Sequence, residues 1–294
     1  MTALPATART TGLGRQALRS LGRLSTGTKI GLILVGLTVI VALLAPVLAP
    51  YDPVATDSQH ALAGAGWQHW LGTDQYGRDI LSRTLMGGRY ALLVSLLATT
   101  VAVALGTAIG AVAAYYGRWL DGGITRVLDA ILAVPSVLAL LLVISVFGNG
   151  LWVMVLAVSV VYVPAVARVI RGAARPIMST GYVTAARSRG ESAAPIIARE
   201  ILPNILGTVL VEFAMRASWV VLLVSTLSFL GFGVNPPTPD WGLMIQENRT
   251  ALTVAPTGTV APILALAALV VGLNLAADGL GKHLGVDRAG RGAL

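Results

Sequence analysis

The chain has 294 residues, 55% of them hydrophobic and 12% charged, with a mean hydropathy of +0.78; soluble domains carry roughly 25% charged residues, so water is not its main solvent. The formal net charge is +8, but the basic residues lie between long apolar runs instead of covering one polar face, which argues against a nucleic-acid footprint. There are no cysteines, which excludes disulfides, thiolate chemistry and cysteine metal sites.

A helix needs about 20 mainly apolar residues to cross the hydrocarbon core, because every backbone amide must find its partner inside it. Six stretches qualify, at about 30–49, 90–115, 127–147, 151–168, 206–230 and 259–277, predicting an all-α integral membrane protein with six transmembrane helices. Arg9, Arg15, Arg19, Arg23 and Lys29 precede the first stretch, as in a secretory signal. The run is longer than the usual 7 to about 15 residues and lacks an A-x-A site, so it reads as an uncleaved anchor. In the second stretch Gly106 and Gly110 form a G-x-x-x-G, which predicts close helix packing. The third and fourth are separated only by Phe147-Gly148-Asn149-Gly150, a tight hairpin, and Trp119 and Trp152 fall at span ends, where indoles favour the membrane interface.

Orientation follows from the loops, since positive loops stay cytoplasmic. With the N-terminus inside, 16 of the 21 basic residues are internal and four external (Arg78, Arg83, Arg89, Arg249), leaving Arg216 within a span. Both termini are then cytoplasmic. The expected organisation is a cytoplasmic tail over 1–29, an anchor helix with an extracytoplasmic segment over 30–87, a transmembrane domain over 88–278 that contains a basic inner loop at 169–205, and a cytoplasmic tail over 279–294.

The sequence offers little for catalysis. His60, His69 and His283 all fall in predicted loops, no H-E-x-x-H, G-x-S-x-G or P-loop is present, and Gly231-Phe232-Gly233 lacks the third glycine of a dinucleotide loop. No metal site, catalytic residue or ATPase site is expected. Glu212 and Arg216 are the clear intramembrane charges. Their i, i+4 spacing brings them together on one helix face, where they either neutralise each other or line a polar path. Asp129 lies near the inner end of the third span, below Pro135, and is a further candidate for such a path or for the interface. A lone secondary transporter would usually show internal repeats, and none is evident.

The inner loop is the most informative segment. It reads Tyr182-Val183-Thr184-Ala185-Ala186-Arg187-Ser188-Arg189-Gly190-Glu191, followed later by Glu200-Ile201-Leu202-Pro203. Alanine and arginine favour helix, Gly190 permits a bend and Pro203 suits the first turn of the next span. A short helix, a bend and a second short helix are expected, with a small alanine face able to seat in a groove on a soluble partner.

This loop resembles the EAA coupling motif of the inner-membrane subunits of binding-protein-dependent ABC importers. Ala185, Ala186, Gly190, Leu202 and Pro203 match its spacing, while Thr184 replaces the glutamate and Glu200 stands where the pattern has isoleucine. Three further blocks are similar to the dipeptide and oligopeptide permease C branch: Leu71-Gly72-Thr73-Asp74-Gln75-Tyr76-Gly77-Arg78-Asp79 continuing to Arg83, Leu227 to Gly233 with Pro236-Pro237-Thr238-Pro239-Asp240-Trp241-Gly242, and Asn274 to Leu280. The last departs from the family's usual Arg-Asp at Gly281-Lys282.

The resemblance implies a type I importer permease fold, an N-terminal helix plus a five-helix core, forming half of a heterodimeric pore in a bacterial plasma membrane. It implies a second permease, one or two ATPase subunits that use ATP and magnesium, an extracytoplasmic solute-binding protein, and no cofactor held by this chain. Tyr182, Ala185, Ala186, Arg187, Arg189, Gly190, Leu202 and Pro203 would then couple to the ATPase. Gly72, Asp74, Gly77, Arg78, Asp79, Pro236, Pro237 and Trp241 would form the extracytoplasmic family motif. Peptides are the expected cargo, with nickel, glutathione, heme or opines as alternatives within the same machinery.

Overall fold

A computed structural model describes residues 25–285; Arg9, Arg15, Arg19, Arg23, Arg288 and Arg291 lie outside the described residues. The described chain is helical, and its only β feature is an isolated bridge between Thr73 and Asp79.

Helix α1 (Thr26–Leu48) starts at Ser25, whose hydroxyl accepts from Thr28 N at 3.3 Å. An irregular segment leads to α2 (Ile80–Tyr116), where the Asp79 carboxylate takes up the orphan amide of Ser82 at 2.7 Å. Its 37 residues span about 55 Å, well beyond a hydrocarbon core of about 30 Å. The helix therefore carries the chain through the membrane and past it. Gly106 and Gly110 lie against Val166, Ala167 and Arg171 of α5 (Leu151–Ala174), so tightly that a methyl group would collide with the Val166 side chain at the first and with the Ala167 carbonyl at the second, as the G-x-x-x-G spacing predicts.

Between α2 and α5 the structure departs from the expected single span at 127–147. Two helices, α3 (Arg118–Leu132) and α4 (Ser136–Phe147), meet at 81°. Pro135 has no amide to donate and disfavours helical geometry at the residue before it, so the helix stops there. α3 is amphipathic and begins nine residues before the expected span, because its polar face carries Arg118, Asp121, Arg126 and Asp129. Five helices are long and apolar enough to cross a membrane, or six if the bent pair counts as one span.

After α5, which runs six residues past the expected 168, come a 3-10 turn (Arg175–Ser179), α6 (Gly181–Ser188), and α7 (Ala193–Ile196). A π turn (Ile197–Ile201) then leads directly into α8 (Leu202–Phe229), with Pro203 in its first turn as expected. The second short helix of the loop is thus not separate but the start of the α8 span. The chain closes with α9 (Trp241–Asn248) and α10 (Thr257–Leu284).

Three apolar clusters hold the bundle. Val94 and Ala98 of α2 meet Val155 and Val158 of α5 and Val220, Val224 and Leu227 of α8. Val166, Ile170 and Ala174 of α5 pack with Val183, Ala186, Ile196, Ile201 and Ile205 at one end. Val221, Leu269, Trp241 and Met244 join α8, α10 and α9 at the other.

Candidate functional site

At the α9 end of the bundle, the segment from Leu71 to Arg83 folds into a knot. Asp74 Oδ1 accepts from the amides of Tyr76 (2.8 Å) and Arg78 (3.0 Å), closing a turn in which Gly77 has φ +74°. Its other oxygen accepts from Arg78 Nε at 2.6 Å. Arg78 and the fully buried Arg83 both reach Glu247 Oε2 on α9, at 2.7 and 3.1 Å, and Arg83 also donates to the carbonyls of Pro53 (3.0 Å) and Pro237 (3.2 Å). Two guanidinium groups and two carboxylates thus balance in a buried cluster that ties four stretches of chain together. Asp79, beside it, contacts His69 Nδ1 at 2.9 Å while capping α2. Farther out, the His60 imidazole holds the exposed Asp57 carboxyl below its ordinary range.

Trp241 seats α9 on α2. Its ring lies on Gly87 and Gly88, where an added methyl would meet the indole at 2.9 and 2.6 Å, and its Nε1 donates to Thr84 O at 2.8 Å. The preceding residue, Asp240, caps α9 through Leu243 N at 3.0 Å; burial pushes its carboxyl up to about 6. The structure brings the sequence-predicted Gly72, Asp74, Gly77, Arg78, Asp79 and Trp241 to this one end. Pro236 and Pro237 are exposed beside them, joined by a cis peptide bond.

The opposite end carries the 175–201 loop. Val183 and Ala186 point into the chain's own core and are fully buried. This corrects the expectation that Ala186 belongs to a free alanine face: the inward stripe of α6 is needed to hold the helix down. The outward stripe is Tyr182, Ala185 and Arg189, followed by Gly190 at φ +77° with open space around it. Arg187 is not outward-facing in function either, since it donates to Tyr115 O at 3.1 Å and stacks over the Tyr115 ring. Leu202 is half-buried against the same core and Pro203 is exposed. Asp121 of α3 bonds Arg171 at 2.7 Å and also Arg175, fastening the amphipathic helix to the root of the loop.

The mid-bundle charges remain apart from both ends. Arg216 Nε donates to Glu212 Oε2 at 2.9 Å, with Glu212 almost fully buried, so the i, i+4 spacing does bring the two charges together. Asp129 lies away from them, in an exposed pair with Arg168 at 2.6 Å.

Glu247 and Asp121 were not among the sequence-derived candidates. Each lies far along the chain from its arginines, and only the fold makes the pairs.

The described helices form a multi-pass membrane bundle with a short helix packed at one end and a compact helical loop at the other. Two solved inward-facing forms of the MetNI methionine ABC transporter share the fold; one aligns at a TM-score of 0.56 and 18% identity over 70% of this chain and 96% of that one. The chain belongs to the family of binding-protein-dependent transport system inner membrane components, whose model matches residues 102–286, and the N-terminal membrane domain of oligopeptide transport permease C matches residues 15–64. Among its relatives are the glutathione transport system permease protein GsiD of Pectobacterium atrosepticum, 37% identical over 245 residues (83% of this chain, 81% of that one), and the dipeptide transport system permease protein DppC of Alkalihalophilus pseudofirmus, 34% identical over 251 residues (85% and 83%). It is therefore a multi-pass permease subunit of an ABC importer in the peptide and glutathione transport family. It is not itself an ATPase: the family works with partner ATPases, a paired permease and a binding protein.

Proposed function

We propose that this subunit forms half of a pore for short peptides and takes the ATPase stroke through α6. Support for the cargo is chemical: glutathione is a tripeptide, so the names of both relatives describe short peptides. The observation that carries the coupling role is the outward stripe Tyr182, Ala185 and Arg189, exposed at a bundle end and backed by a buried stripe that welds α6 to α5 and α8. A force on that face reaches the spans through packed side chains. The paired permease is proposed to be a different chain, and the loop end to be cytoplasmic.

The test is uptake by the reconstituted importer with its partner permease, ATPases and binding protein. Labelled dipeptides, tripeptides and glutathione are expected to accumulate in an ATP-dependent way. Ala185→Asp should abolish binding-protein-stimulated ATP hydrolysis while the subunit still inserts. Uptake of nickel or heme in place of peptides would overturn the cargo assignment, and normal stimulated hydrolysis in the variant would overturn the coupling role.

A further inference from the structure

Helix α1 is pinned at two places and stands off the bundle between them. Near its start an added methyl on Gly31 would stand 2.6 Å from Ala276 N of α10, and near its end Ala45 is fully buried. Between the two, a groove of about 670 Å³ separates α1 from α2, α8 and α10. Its walls are almost wholly apolar, with Val35 and Val39 facing Val221, Leu269 and Leu273 across it. Leu43, Leu93 and Leu96 of the lining are exposed, so the groove opens on the outer surface of the bundle and not into its core. Among the described residues that line it, Arg89 alone is charged. No described carboxylate pairs with that guanidinium, since Asp74 and Glu247 are taken up by Arg78 and Arg83.

The position of Arg89 along α2 fixes what the groove meets. From Arg89 to Tyr116, where α2 gives way to the amphipathic α3, the helix rises about 40 Å, against about 40 to 45 Å for a bilayer with its headgroup layers. Arg89 therefore stands among the headgroups of the leaflet on the α9 side. Below it the α2 wall descends about 10 Å to Leu96, within the roughly 15 Å that one leaflet contributes to the hydrocarbon core. A guanidinium at headgroup level suits a phosphate, which it can bind through two parallel hydrogen bonds. The apolar walls beneath suit an acyl chain, and a chain lying there restores the dispersion contacts that an unfilled groove forfeits. A spanning helix about 10 Å across would need more than about 1,000 Å³ over a 15 Å depth, beyond what the groove offers. We infer that the groove holds one anionic phospholipid of the phosphatidylglycerol kind, its phosphate on Arg89 and one acyl chain between α1 and the wall of α2, α8 and α10, where it joins the anchor helix to the core. A zwitterionic lipid fits less well, because the lining holds no carboxylate to receive its cation.

The test places the assembled importer in nanodiscs of phosphatidylcholine with a minor share of phosphatidylglycerol and counts the lipids retained after extraction by native mass spectrometry. Wild type should keep one phosphatidylglycerol per complex more than Arg89→Gln, and Arg89→Lys, which keeps the charge, should restore most of the retention. Leu96→Trp fills the groove and leaves Arg89 in place; it should lose the same lipid while the partner permease stays bound. Equal counts in wild type and Arg89→Gln, or equal retention of phosphatidylcholine at this position, overturns the site. Loss of the partner permease from Leu96→Trp with an unchanged lipid count also overturns it, and makes the groove a seat for that subunit.

Discussion

Single residues at the α9 end set how firmly that end is closed. Glu247 bridges two arginines and, with Asp74, balances their charge, and neither arginine can turn to solvent because both are buried. Glu247→Gln should therefore leave a surplus positive charge and destabilise the fold by about 3 to 5 kcal/mol, the usual cost of breaking a buried pair from one side. Reduced yield and an earlier melt of the purified complex would show it; an unchanged melt would mean that water reaches the cluster. Asp240 adds a pH dependence. Its folded carboxyl sits near 6 against an ordinary 3.8, so the folded form keeps a proton that the unfolded chain releases. That contribution is complete below about 3.8 and is lost as pH rises through about 6. Wild type should lose stability relative to Asp240→Asn as pH rises across that window, and parallel pH profiles would refute the shift.

Among the elements, α6 and its bend are the most sensitive to substitution. Gly190 occupies left-handed backbone with free space around it, so Gly190→Val is strained by conformation and not by collision, at about 1 to 2 kcal/mol. Insertion should survive while stimulated ATP hydrolysis falls. Ala186→Asp, by contrast, would bury a carboxylate in the chain's own core and should lower the amount of folded protein. On α8, Glu212→Gln and Arg216→Gln should each cost more than the double change, with a coupling of about 0.5 to 3 kcal/mol in a double-mutant cycle. Additive losses would mean the two charges act independently. These elements also show what could be read without the fold. The spans were legible because hydropathy and length are local properties. The break at Pro135 was half legible: the proline was visible, but an apolar run crosses it, and a hydropathy window registers only one face of an amphipathic helix such as α3. The inward turn of Ala186 had one available sign, Val183 three residues earlier on the same helix face. Asp74, Arg78 and Trp241 could be picked out through their motifs, whereas Glu247 lies 169 residues from Arg78 and nothing in its local sequence marks it.

For the whole molecule, the two ends differ in kind, and that difference bears on orientation. One end is closed by buried, mutually balanced charges and a helix seated on glycines; the other presents exposed arginines on a compact helix. The topology expected from the sequence assigns 16 of the basic residues in loops to the side of the 169–205 loop and four to the other. Three of those four are in the 78–89 stretch, where Arg78 and Arg83 are fully neutralised by Asp74 and Glu247. The count itself carries the orientation, because positive loops are retained in the cytoplasm. Single cysteines at Ser58 and Thr238, both exposed at the α9 end, should label with an impermeant thiol reagent in intact cells. A cysteine at Ser188, exposed on α6, should label only after the membrane is opened. The chain has no native cysteine to confuse the readout. Labelling of Ser188 from outside would invert the molecule, and with it the side on which ATPase subunits could reach Tyr182 and Ala185.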